Sequence, residues 1–177
     1  MRIPVFLSYP YPYNGEQELF IGRVKEYLNS RGIEPCTLGV TDYDIEEPLN
    51  AIRGIMRDVD GLITVGFRRY YIENGLEKPK NRFEKKIANQ FLTSPWCHIE
   101  TAMAFQLGLP ILVFREHGVI EDGIFEKGVV GTYLPQFDLS TPFEDYFESE
   151  EWNQILGTWE GYVRSVKKSK GKPPKQF

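Results

Sequence analysis

The sequence has little of what disulfide scaffolds, metal centres and membrane spans require. Its 177 residues include only two cysteines and two histidines. That is too few for a disulfide framework, a four-cysteine zinc site or a histidine-rich metal site. No apolar run approaches the roughly 18 residues that cross a bilayer. The first ten residues lack the apolar segment of a signal peptide, so we expect a cytoplasmic protein. From the residue counts and the short apolar runs we expect no metal and no membrane partner.

Apolar and aromatic side chains are plentiful, at 41% and 14% of the chain, enough to bury the core of one domain. The formal net charge of −4 is unevenly distributed. Residues 164–177 carry six basic side chains and no acid, which leaves 15 basic and 25 acidic residues, or −10, for residues 1–163. The net charge of −4 argues against a nucleic-acid partner. We predict one domain over 1–168 and a basic, disordered tail over 169–177.

Apolar strands and amphipathic helices alternate along most of the chain. Buried strands are predicted at short apolar runs, namely 3–8, 33–38, 61–66 and 110–114. Helices are predicted where apolar residues recur at helical spacing, over about 20–31, 48–59, 94–107 and 149–168. A chain of this kind is expected to form an α/β fold with three layers, a flavodoxin-like central parallel sheet with helices on both faces.

Residues 67–93 interrupt this alternation. They hold seven basic residues against three acids, and no apolar strand comparable to the others. We interpret them as an insertion into the domain, partly helical over 82–92. The following long loop contains a further short strand, predicted near Tyr133.

Residues 94–100, sequence SPWCHIE, are the strongest candidate in the sequence for a catalytic or ligand-binding segment. Serine followed by proline is a favourable helix start. Ligands of parallel sheets bind beyond the carboxyl ends of the strands, and this helix should begin nearby. Glu100 then lies in the second helical turn, where the helix dipole favours an ionised carboxylate. The alternative interpretation is an ordinary glutamate on a surface helix, with Trp96 as a core anchor.

Residues 94–100 resemble the S-x-W-C-x-x-E motif of Toll/interleukin-1 receptor (TIR) domains. Residues 5–9, sequence VFLSY, are similar to the first strand of that family. Residues 61–66 and 109–114 match its third and fourth strands. The order and spacing of these pieces agree over residues 3–114. The sequence departs from the family at the PYPY segment after the first strand and in the longer 67–93 segment.

The resemblance implies an enzyme that cleaves the nicotinamide–ribose bond of NAD⁺, with Glu100 as the catalytic residue. NAD⁺ would be the substrate, and no cofactor is implied. The nicotinamide ring is already cationic and leaves as a neutral molecule, so the leaving group needs no general acid. One carboxylate can stabilise the positive charge that develops on the ribose.

Among TIR proteins, the chain resembles the small bacterial ones of Thoeris antiphage systems, which make a nucleotide messenger. That similarity implies an ADP-ribose-derived signal, a homo-oligomer formed through TIR–TIR contacts, and a separate effector protein.

Five further residues are expected to contact the nucleotide. Ser8 ends the first strand, and Tyr9 and Tyr11 follow it, where their rings can stack on a base. Trp96 can flank the nicotinamide or ribose, and Arg68 can meet the pyrophosphate. Alternatively, the tyrosines pack within their own proline-rich loop, and Arg68 belongs to a solvated basic face.

Two other functions remain open from the sequence. Glu100 and the residues after it, up to Pro110, are also similar to the pattern that follows the nucleophilic glutamate of nucleoside 2-deoxyribosyltransferases. A non-catalytic TIR adaptor would need no Glu100 at all. A cysteine hydrolase is disfavoured, although a thiol near a helix start, such as Cys97, tends to have a lowered pKa. Its neighbour His98 points about 100° away around the helix.

Overall fold

The computed structural model describes residues 2–38, 48–131 and 134–168. Its main sheet consists of five parallel strands: β1 Ile3–Ser8, β2 Ile33–Cys36, β3 Leu62–Gly66, β6 Ile111–Glu116 and β7 Gln136–Phe137. Four helices pack on this sheet: α1 Gly15–Ser30, α2 Pro48–Asp58, α3 Pro95–Gln106 and α4 Glu150–Lys168. The spatial order of the strands is β2-β1-β3-β6-β7, which is the flavodoxin-like order. The α/β fold expected from the sequence is confirmed.

Alternate side chains of β1 enter two different cores. Val5 and Leu7 pack with residues of α1 and α4 in one core. Phe6 packs with residues of α2 and α3 in the other. Successive side chains of a strand point to opposite faces of the sheet, so one pair of helices covers each face. The predicted three layers follow from this division.

Capping side chains and a glycine mark helix ends, and the start of α3 after Ser94 agrees with the sequence prediction. The Asn14 side chain accepts a hydrogen bond from the Gln17 backbone at the start of α1, at 2.9 Å. Ser94 caps α3 in the same way, through the Trp96 backbone at 3.3 Å. After α1, Gly32 has a φ of +73°, which glycine adopts without steric cost. Among the described residues, no helix combines the length and apolar character needed to cross a membrane.

Residues 70–92 form an antiparallel β-hairpin, so the prediction of partial helix over 82–92 is wrong. The hairpin consists of β4 Tyr70–Glu77 and β5 Lys85–Leu92 and makes a separate two-stranded sheet. Tyr71 lies opposite Phe91 in this pairing, with ring centroids 5.0 Å apart. Such cross-strand contacts stabilise a hairpin. The charged residues that lie between Tyr71 and Phe91 in the sequence give no sign of this pairing. Tyr133, near which a strand is predicted, lies outside the described residues.

Candidate active site

The candidate site lies where the order of strands in the sheet reverses. The chain passes from β1 outward to β2 and then returns to the other side of β1 as β3. In open parallel sheets, such a reversal leaves a crevice beyond the carboxyl ends of the two strands. Ser8 is the last residue of β1, and it pairs in register with Thr64 of β3. Ser8 is thus a polar side chain at the carboxyl end of an otherwise apolar strand, beside this crevice.

Two consecutive residues of α3 contact these two strands. The Ser8 hydroxyl donates a hydrogen bond to a carboxylate oxygen of Glu100. The hydroxyls of Thr64 and Thr101 are bonded to each other at 2.6 Å. Ser8 and Thr64 point toward α3 because they lie two residues after Phe6 and Leu62, whose side chains enter the core on that face. Strand alternation directs the Ser8 side chain toward α3, and the hydrogen bond to Ser8 holds the Glu100 carboxylate at the end of β1.

Burial makes the Glu100 carboxylate harder to ionise than an exposed one. The residue is only 8% exposed. Burial raises its pKa, and the hydrogen bond from Ser8 acts in the opposite direction. The sequence interpretation relied on the helix dipole, which favours ionisation, whereas the loss of hydration raises the pKa of Glu100. A titratable side chain with such a shift beside a cavity is a common property of functional sites.

A cavity of about 340 Å³ opens onto Glu100, near the lower end of the roughly 300–1,000 Å³ typical of ligand sites. Ser8, Tyr9 and Tyr11 also line it. Tyr9 is half-buried, and its hydroxyl accepts a hydrogen bond from the Lys25 ammonium at 2.8 Å. Tyr11 is 85% exposed. The structure therefore brings four of the predicted site residues to one cavity, with Tyr11 at its open side.

Trp96 and Arg68 are absent from the described residues that line this cavity. Trp96 is 41% exposed in the first turn of α3. Arg68 is held elsewhere by the protein, since its Nε donates to the His117 carbonyl at 2.6 Å and its guanidinium lies 4.8 Å from the centre of the Phe91 ring. Nucleotide contacts by these two residues stay predictions.

Cys97 is not an activated nucleophile. It is 1% exposed, and burial together with the charge of Glu100 raises its pKa to about 12. The expectation of a lowered pKa at the helix start is wrong, because the thiol points into the core, where Val113 and Phe125 surround it. His98 packs edge-on against Phe125 at 5.2 Å. This arrangement does not support a cysteine–histidine hydrolase.

The sequence interpretation missed the wall that α1 contributes to the cavity. Glu18, Ile21 and Lys25 line it, and they lie three and four residues apart, which places them on one face of a helix. That spacing was available as a signal. A helix face that carries an acid, an apolar residue and a base is ambiguous, however, until the neighbouring loop is known.

A second buried carboxylate, Glu116, was also missed. It is 2% exposed and ends β6. It accepts hydrogen bonds from the Arg68 backbone at 2.8 Å and from Gln17 Nε2 at 3.0 Å, with Arg68 Nε at 3.6 Å. Burial raises its pKa, while these contacts act to lower it. An acid at the end of an apolar strand is the signal that sequence reasoning passed over.

No protein-family model and no curated protein matches the chain. Among solved structures, it is similar to the CMP N-glycosidase BcmB of Clostridium botulinum, with 15% identity, a TM-score of 0.44, and coverage of 93% of this chain and 98% of that one. The TIR domains of the activated Roq1 resistosome show 14% identity, a TM-score of 0.43, and coverage of 96% and 86%. A 2-deoxyribosyltransferase of Leishmania mexicana shows 14% identity, a TM-score of 0.44, and coverage of 92% and 97%. TM-scores below 0.5 identify neither a substrate nor a reaction.

Proposed function

We propose that this protein is an enzyme that cleaves the bond between nicotinamide and ribose in NAD⁺, with Glu100 as the catalytic carboxylate. The observation that carries the proposal is a buried carboxylate that faces a cavity and, within the described part of the chain, receives one hydrogen bond, from Ser8. A carboxylate oxygen offers several acceptor positions. Glu100 therefore keeps the capacity to accept hydrogen bonds from ribose hydroxyls.

The chemistry requires no second acid. When the glycosidic bond breaks, its electron pair moves to the nicotinamide nitrogen, and the cationic ring becomes a neutral leaving group. The ribose carbon is left with positive character until water or another hydroxyl adds and loses a proton. The negative charge of Glu100 stabilises this stage, and a partly dehydrated charge does so more strongly than one in water. Ser8 is a positioning residue, since it fixes the orientation of the carboxylate.

The cavity accommodates one part of the dinucleotide. At about 340 Å³, it encloses the nicotinamide riboside end, and the remainder extends past Tyr11 into solvent. Tyr9 and Tyr11 offer ring faces for stacking. The product is ADP-ribose or a cyclic or conjugated derivative. Its role as a cytoplasmic antiphage signal read by a separate effector is supported by the resemblance of residues 94–100 to the TIR motif.

A second candidate is a nucleoside 2-deoxyribosyltransferase-like reaction, which the small volume of the cavity favours. A single nucleoside fits such a space without an open extension. Glu100 would then attack the anomeric carbon and form a glycosyl ester, and the departing base would take up a proton. A second base would displace the carboxylate.

The test is an assay of nicotinamide release by the full chain over a range of protein concentrations. We expect release from NAD⁺ that Glu100→Gln abolishes, because the amide has the shape of the carboxylate without its charge. Glu18→Gln is the matched control. It removes a negative charge from the α1 side of the same cavity, and we expect it to retain activity. Mass spectrometry of the product then identifies the signal.

The same protein incubated with a deoxyribonucleoside and a free base distinguishes the candidates. Base exchange that depends on Glu100, without loss of NAD⁺, replaces the first proposal with the second. Inertness toward both substrate sets at every concentration contradicts catalysis and leaves the non-catalytic adaptor.

A further inference from the structure

The β4–β5 hairpin is exposed along its length and is joined to the rest of the domain at its base. Every residue from Tyr70 to Leu92 is exposed or half-buried, and both strands are edges of a two-stranded sheet. A two-stranded hairpin is marginally stable in water when nothing packs on it. Exposed strand edges also favour pairing with other chains. The hairpin therefore has the properties of an interaction element.

Large apolar side chains remain exposed along the hairpin. Tyr70 and Leu92 lie opposite each other and are 53% and 41% exposed. Leu76 is 50% exposed, and Phe83 in the turn is 59% exposed. Several exposed apolar side chains on one element, in place of single ones scattered over the surface, are typical of a binding surface.

The base of the hairpin is fixed to the body of the domain. The backbone N–H of Phe91 donates to the Gly118 carbonyl, and that of Ile120 donates to the Phe91 carbonyl, both at 2.9 Å. Arg69 donates to the capping oxygen of Ser94 at 3.1 Å. The outer part is thus presented in a defined orientation, which reduces the entropy lost on binding.

Charge identifies the kind of partner. The outer part of the hairpin, residues 77–86, holds five basic residues and two acids. Without 67–93 and 164–177, the rest of the chain has 8 basic and 22 acidic residues, or −14. A nucleic acid would suit basic and aromatic side chains, but the acidic body would repel a continuous line of phosphates more strongly than it repels a protein whose acidic residues form a short segment. An acidic protein surface is the better match.

This chain carries such a surface itself. Residues 144–151 contain five acids and no base. They comprise the 3₁₀ helix Glu144–Glu148 and the start of α4. Glu144, Asp145 and Glu148 are exposed. We name residues 144–151 the acidic segment.

We propose that the β4–β5 hairpin binds the acidic segment of a second copy of this chain. Each copy offers a hairpin at one place and an acidic segment at another, so the contact is heterologous and repeats from copy to copy into a ring or filament. Both elements are short, so the contact between them would bury little surface. We therefore expect a weak association that salt disrupts. The proposal stands independently of the reaction at Glu100.

The test is sedimentation velocity of the full chain over a concentration series at low and at high salt. The hairpin variant is Lys80→Gln with Lys86→Gln, and the segment variant is Glu144→Gln with Asp145→Asn. All four side chains are exposed, so the variants should fold, which circular dichroism checks. We expect the wild-type mass to rise with concentration at low salt only, and each variant to weaken association at least about tenfold.

The matched control is Arg53→Gln with Arg57→Gln, which removes the same charge from exposed positions of α2. It should associate like the wild type. The decisive measurement mixes the hairpin variant with the segment variant. Each still offers the half that the other lacks, so the mixture should form one-to-one dimers and nothing larger.

Three outcomes overturn the proposal. In the first, the wild-type chain is monomeric at every concentration and salt. In the second, the segment variant assembles like the wild type, which indicates hairpin-to-hairpin pairing. In the third, the hairpin variant loses affinity for a labelled single-stranded RNA while self-association is unchanged, which identifies a nucleic-acid surface.

Discussion

Two buried carboxylates, Glu100 and Glu116, have different surroundings. Glu100 lies in the second turn of α3 and Glu116 is the last residue of β6, and burial raises the pKa of both. Glu116 accepts hydrogen bonds from the backbone of Arg68 and the amide of Gln17, with the Arg68 guanidinium nearby. Among the described residues, Ser8 alone donates a hydrogen bond to Glu100, which faces a cavity.

This difference separates a structural carboxylate from one available for chemistry. The donors around Glu116 replace the hydration that its carboxylate loses. Their hydrogen bonds connect α1 and the segment after β3 to the end of β6. Glu100 loses hydration with fewer hydrogen bonds to replace it, which costs stability. Residues that cost stability in this way are commonly ones that function requires. The acceptor positions left on Glu100 are those that a substrate can occupy.

The largest expected difference is in catalysis. If Glu100 stabilises the transition state, Glu100→Gln lowers kcat for nicotinamide release by at least about 10²–10³-fold. Glu116→Gln lies outside the cavity lining, so its rate per folded molecule should stay close to wild type. Parallel steady-state assays, corrected for folded fraction by circular dichroism, check this. Equal losses of kcat in the two variants contradict the assignment of a catalytic role to Glu100 and a structural role to Glu116.

Stability should show the reverse order. Glu116→Gln weakens the contact with Arg68 and leaves an amide N–H₂ facing donors, which should cost about 1–3 kcal/mol of unfolding free energy. Glu100→Gln removes a poorly hydrated charge and retains the shape, so the protein should be at least as stable as wild type near neutral pH. Urea denaturation measures both. Glu18→Gln, at an exposed position, should stay within about 0.5 kcal/mol.

A smaller effect concerns how α3 is held against the sheet. Thr64 and Thr101 are both 0% exposed and bonded to each other at 2.6 Å. Thr64→Val or Thr101→Val alone leaves a buried hydroxyl without its partner, at about 1–3 kcal/mol. The double variant should lose less than the sum of the two, with a coupling of about 1 kcal/mol. An additive double-mutant cycle in urea denaturation shows that the bond does not hold α3.

Much of this arrangement could be predicted from residue patterns, and the remainder depended on tertiary contacts. Apolar runs and the cap at Ser94 predicted four of the five strands of the main sheet, the start of α3, and hence the position of Glu100 near Ser8. The hairpin was missed because its strands are stabilised by each other, through pairs such as Tyr71 and Phe91, rather than by local propensity. Burial of Cys97 was missed because the side of a helix that faces the core depends on packing.

The pH dependence of Glu100 is expected to be the smallest effect. Its pKa lies above the 4.5 of an ordinary glutamate, so the folded protein binds this proton more tightly than the unfolded chain does. Stability due to this group is therefore full below pH 4.5 and declines as pH rises through the raised pKa. Glu100→Gln lacks this decline.

The difference in unfolding free energy between Glu100→Gln and wild type should be near zero in acid and should grow to a plateau above the raised pKa. NAD⁺ cleavage, which needs the ionised carboxylate, should rise over that same interval. Urea denaturation and initial rates at matched pH values test the agreement. If the rate rises at the ordinary pKa of glutamate while the stability difference develops at higher pH, the group that titrates in catalysis is not Glu100.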